Sequence, residues 1–178
     1  MSATHNAYTE PWLRQTHMEV DAVARAVLHA LELADDDVAK WCGDISDAEM
    51  NARPFGLAPL AFHLRHIARS LDRLLSYAEG TQLDATQRAA LQTELDSGAT
   101  RDGVLTEFTA ALRTSADRVR AFSPEQYNAT RGVGRAALPT TVGGLLIHCA
   151  DHTQRHVGQA VTTAKLLLAM RSVGTGGE

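Results

Sequence analysis

Five of the eight histidines in this chain fall in two short stretches, His63 with His66 and His148 with His152 and His156. His152 and His156 are four residues apart. On an α-helix that spacing leaves only ~40° and ~6 Å between their Cα positions, so both imidazoles leave the same face and can converge on one ion. Leu145, Cys149, Ala160 and Leu167 share that face, which makes it the inward stripe of the helix. An imidazole buried without a partner costs on the order of a few kcal/mol, whereas a divalent metal uses the neutral ring's lone pair. His148 continues the series, but it lies ~12 Å along the axis from His156. That is too far for all three to reach one ion through bonds of ~2.0–2.1 Å, and His148 reads as a residue at the edge of the site. A third ligand has to come from another helix.

His63 and His66 are the candidates. Leu60, Leu64, Ile67, Leu71, Leu74, Leu75 and Ala78 form an apolar stripe; His63 lies at its edge and His66 is turned ~60° further out. Burial on the stripe favours His63, while a metal in a groove between two helices is better reached from His66. Periodicity leaves both open.

The elements that must position these rings are helical. Apolar residues at three- and four-residue steps predict a first helix over 11–40, with the acidic run Asp35-Asp36-Asp37 as its fraying end or a break, and a long loop over 43–57. A second helix spans 59–79, with Pro59 at its start and Gly80 as its C-terminal cap. Residues 84–95 read as a short satellite helix carrying Leu91 and Leu95 on one face. A third long helix is capped by Thr100 and ended by Pro124, and 128–139 forms a loop or small hairpin. Thr140 or Thr141 then caps a final helix to about 170, followed by a mobile tail over 171–178. The expectation is an all-α four-helix bundle, in one domain over 1–178, with a short additional helix between the second and third.

With 44% apolar and 21% charged residues, the composition is that of a globular protein. Seventeen basic against 21 acidic residues, a net charge of −4, give no basic field or stripe, so nucleic acid is not an expected partner. No stretch has the roughly twenty apolar residues of a bilayer span, and the polar start lacks the pattern of a signal peptide; the expected location is the cytoplasm, away from membranes. Cys42 and Cys149 are too few for a disulfide framework and are read as reduced.

The segment His66-Ile67-Ala68-Arg69-Ser70-Leu71-Asp72-Arg73 and the segment His152-Thr153-Gln154-Arg155-His156-Val157-Gly158-Gln159 resemble the two metal-binding helices of the DinB/YfiT-like superfamily. Helix order and lengths fit over nearly the whole chain. The resemblance implies a four-helix bundle in which one histidine of the second helix and an H-x3-H pair of the fourth hold a divalent metal such as zinc or nickel. It therefore implicates His66, His152 and His156 as ligands. It also implies a possible homodimer and a small-molecule substrate, since the superfamily includes transferases and isomerases that use a low-molecular-weight thiol.

Three protein ligands leave a coordination position open for water or substrate, whereas structural zinc sites normally close with four. The expected activity is thiol transfer or metal-assisted hydrolysis, with a bound water or a cofactor sulfur as the reacting group and no protein general base identified. The alternative is a non-catalytic bundle, metal-stabilised or metal-free, that serves interaction or stress response. His63 and His148 are read as contacts to the ligand rings or to substrate, and Gln159 as the better candidate than Asp151 to orient an imidazole. Cys149, one turn before His152, is read as buried packing rather than a reactive thiol. Gly158 is expected to allow close helix approach.

Overall fold

The computed structural model describes residues 9–174. Asp21 sets the start of the first long helix. Its backbone is extended, and its carboxylate accepts hydrogen bonds from the amides of Val23 and Ala24 at the opening of α1 (Ala22–Cys42). The helix expected from residue 11 therefore begins eleven residues later. Pro11–Leu13 is only a 3-10 turn, and Gln15 and His17 have φ of +57° and +58°, values incompatible with a right-handed helix. The other end also moves, because Asp35, Asp36 and Asp37 neither fray nor break α1. Val38 and Cys42 carry its buried stripe on beyond Leu31 and Ala34, and Asp36 is paired with Arg14 at 2.5 Å.

The connection expected over 43–57 is more ordered than a loop. Ser46 and Glu49 form a reciprocal capping box around α2 (Asp47–Met50), whose Met50 is buried, and Pro54–Gly56 makes a second 3-10 turn. Next, α3 (Leu60–Ala78) matches its expected span. It stops where Gly80 takes φ of +85° and the Thr81 amide donates to the Ser76 carbonyl at 2.9 Å. The satellite is α4 (Ala85–Gln92), capped by Asp84, and Thr100 caps α5 (Arg101–Arg120) by accepting from the Gly103 amide. Residues 128–139 give the hairpin alternative, as β1 (Thr130–Val133) pairs antiparallel with β2 (Leu138–Thr141). Arg131 Nε donates to the Ala78 carbonyl at 2.7 Å, so the hairpin closes the C-terminal end of α3.

Finally α6 (Val142–Gly174) is opened by Thr141, whose Oγ1 accepts from the Gly144 amide at 3.1 Å. The expected tail from 171 is helical as far as Gly174; 175–178, like 1–8 at the other end, lie outside the described residues. Four long helices make the bundle, with α6 packed on α3 and α1, and α5 packed on α3 and α1. Leu28, Leu64, Ile67, Leu71, Phe108 and Leu146 are buried in one continuous core. No helix among the described residues is long and apolar enough to cross a membrane. For the site, the decisive contact is that of α3 with α6, which brings together histidines far apart in the chain.

Candidate metal centre

On α3, Leu64 and Ile67 are wholly buried and fix the rotation of the helix, so that His63 and His66 lie on the side turned to α6. On α6, Thr153 and Val157 are buried in the same way and hold His152 and His156 toward α3. The ring centroids of His66, His152 and His156 are 4.5–4.9 Å apart pairwise. One ligand atom from each lies within 4.8 Å of the other two. His66 Nε2 is 3.2 Å from His152 Nε2. Two donors on a tetrahedral ion with bonds of ~2.0–2.1 Å stand about 3.3 Å apart, so this pair already has a chelating separation.

The chemistry of the donors fits a divalent metal as well as their spacing does. Glu94 Oε2 lies 2.7 Å from His66 Nδ1. An ionised carboxylate only accepts, so Nδ1 carries a proton and Nε2 is the ring nitrogen turned to His152. Glu94 is itself buried and held by Arg73, whose Nη1 donates to Oε1 at 2.8 Å and whose Nη2 donates to Ser70 Oγ at 2.8 Å. Burial pushes the Glu94 carboxyl up, but the hydrogen bonds from His66 and Arg73 and the charge of Arg73 outweigh it and hold the group below the usual glutamate value. Phe62 stacks on the His66 ring at 5.2 Å and fixes its plane.

A second pair supports the other helix. His63 Nδ1 and His156 Nδ1 are 3.2 Å apart, so one donates and the other accepts. Burial, then the neighbouring His156 and His66, lowers His63 to about 4; burial, then His156 and His66, lowers His152 to about 4. His156 is lowered too, by burial, His66 and Arg155, against the pull of Glu94. Near neutral pH these three rings are uncharged, and the tautomer in which His156 Nδ1 donates to His63 leaves the His156 Nε2 lone pair to coordinate.

Beside the cluster a cleft of about 430 Å³ opens between α6 and the segment leading into α3, with Leu57, Ala58, His63, Arg155, Gly158 and Gln159 on its walls. His63 thus has one side on the histidine cluster and another on the cleft. Gln159 is exposed on the cleft wall, and the side chain that hydrogen-bonds a ring of the cluster is Glu94, on His66. His148 is half-exposed, with its ring 5.5 Å from that of His152 and Nδ1 4.0 Å from Asp151. Asp151 faces outward and pairs with Arg155 at 2.8 Å. Cys149 is fully buried, and burial pushes its thiol up to about 12, which keeps it protonated and unreactive. Gly158 does not serve helix approach: a Cβ there would meet nothing within 4 Å.

Reading the chain alone missed Glu94: the satellite helix expected over 84–95 ends at Gln92, Leu91 and Leu95 are exposed, and the buried residue just past its end is Glu94. Its signal lies on the opposite partner. Arg65, Arg69 and Arg73 recur every four residues along α3 and form a basic ridge beside the apolar stripe. Arg69 Nε donates to Glu107 at 2.8 Å, while its Nη1 donates to the Ala90 carbonyl and to Thr93 Oγ1, docking the satellite on α3.

A sequence model of the DinB superfamily matches residues 30–160, a span that includes all three clustered histidines. The chain belongs to the DinB superfamily. A crystal structure described as that of a conserved protein of locus from Enterococcus faecalis is similar to this DinB chain, with a TM-score of 0.61 and 20% identity over 83% of this chain and 98% of that one. That likeness shows the shared fold. No curated protein matches the chain.

Proposed function

We propose that this DinB-superfamily protein is a metal-dependent enzyme in which His66, His152 and His156 hold a divalent cation, zinc or nickel, and that it carries out thiol transfer or hydrolysis on a small organic substrate. The observation that carries the reading is the convergence of three imidazole ligand atoms, each within 4.8 Å of the others, from two helices. A cation held by three such rings supplies Lewis acidity and lowers the pKa of a thiol or a water at its remaining position. The chain's own residues do the rest. Glu94 and Phe62 fix the orientation of His66, and His63 engages Nδ1 of His156. Burial keeps His152 and His156 in the unprotonated form that coordination requires.

A competing reading, a non-catalytic bundle, draws on the same geometry, because 3.2 Å between His66 and His152 also suits a ring-to-ring hydrogen bond with no metal. Elemental analysis separates the two. Purified protein should carry about one equivalent of metal, lost in His66→Ala, His152→Ala and His156→Ala and kept at full stoichiometry in His63→Ala. The metal-loaded protein should then consume a low-molecular-weight thiol with an electrophile, or an activated ester. Metal that raises thermal stability without either turnover leaves the bundle as a structural protein.

A further inference from the structure

The cleft beside His63 has a composition that selects a ligand. Its lining includes one guanidinium, that of Arg155, and no carboxylate. Leu57 and Ala58 form an apolar wall, and Phe55, on the turn just before them, is 85% exposed. Gln159 and Thr162 add neutral polar groups. In the middle of a helix, glycine costs roughly 0.5–1 kcal/mol relative to alanine. Gly158 has no packing role to offset that cost, since the space where its Cβ would stand is empty. What the missing side chain does is leave the floor of the cleft open. Arg155 also links the cleft to the histidines, because its charge reaches both His152 and His156.

We propose that this cleft binds an organic anion with an apolar body, with its carboxylate or sulfonate on Arg155 and its body against Leu57 and Ala58, next to the histidine cluster. As the substrate subsite of the enzyme it rests on the metal reading above; as a binding site it does not. About 430 Å³ accommodates one such molecule of drug-like size. The resting partner of Arg155 is Asp151, one turn earlier on the same helix and outside the cleft lining, so the bound anion competes with Asp151 for the guanidinium.

The test uses the full chain, metal-stripped and zinc-loaded, with anilinonaphthalene sulfonate as the fluorescent probe and uncharged phenylnaphthylamine as its control. The sulfonate should bind at one saturable site and more tightly than the control. Arg155→Ala should weaken it about fivefold, as for a partly exposed charge pair. Asp151→Asn should tighten it by removing the competitor, and Gly158→Phe should abolish binding while circular dichroism and metal content stay those of the parent. Binding that survives Gly158→Phe, equal affinity for the uncharged probe, or indifference to both Arg155→Ala and Asp151→Asn overturns the proposal. The metal reading fails separately: a protein that takes up no zinc yet binds the sulfonate in this pattern keeps the cleft and loses the metal.

Discussion

At the level of single residues, Glu94 decides which nitrogen of His66 is available. Glu94→Gln removes the charge that holds the Nδ1 proton and should lower zinc affinity about 10- to 100-fold, read by competition with a chromophoric chelator. Unchanged affinity would mean that the ring is held by Phe62 alone. The H-x3-H pair was legible in the chain because helical period alone puts His152 and His156 on one face. The choice between His63 and His66 was not, since a helical wheel knows nothing of the groups on neighbouring elements. Both rings reach the cluster, His66 through Nε2 to His152 and His63 through Nδ1 to His156. Glu94 was hidden for the same reason: its burial is made possible by Arg73 and His66, from another part of the chain.

At the level of elements, capping and turn residues set the boundaries. Asp21 starts α1 where apolar spacing alone ran on from residue 11, and the local backbone at Gln15 and His17, invisible to periodicity, prevents the earlier start. The end of α3 was legible from Gly80. Gly80→Ala, at φ of +85°, should destabilise by about 1 kcal/mol, measured by urea denaturation. A larger loss is expected where one side chain joins two elements. Asn51 Nδ2 donates to the carbonyls of Asp47 and Ala99, and its Oδ1 accepts from the Ala99 amide, so it ties α2 to the entry of α5. Asn51→Ala leaves the part-buried groups of Ala99 without that partner and should cost about 1–3 kcal/mol in the same measurement.

For the whole molecule, the all-α bundle was legible because four long amphipathic segments can bury their apolar stripes against one another, whereas the arginine spacing along α3 marks a polar ridge without saying which element docks on it. The buried neutral histidines also set how stability depends on pH. In the unfolded chain a histidine takes up a proton near pH 6.5, whereas His63 and His152 do so in the folded protein only near 4. The unfolded state therefore binds more protons between these values, and the metal-free protein should lose stability as pH falls from ~6.5 to ~4. Glu94, held below its ordinary value, should extend the loss further into acid. Urea midpoints measured at intervals across that range check the slope, and a flat profile contradicts it. Zinc should raise the melting temperature in proportion to the logarithm of its free concentration, and should not do so for His152→Ala.

His66 and His152 are 86 residues apart, and the stretch between them holds α4, α5 and the hairpin. An ion gripped by both would tie that stretch into a ring, a constraint on the denatured chain worth about 4–5 kcal/mol in the chain-entropy picture. Unlike a disulfide, such a clasp would open and close with supply, and the lifetime of the chain against proteases would then gauge how much free metal surrounds it.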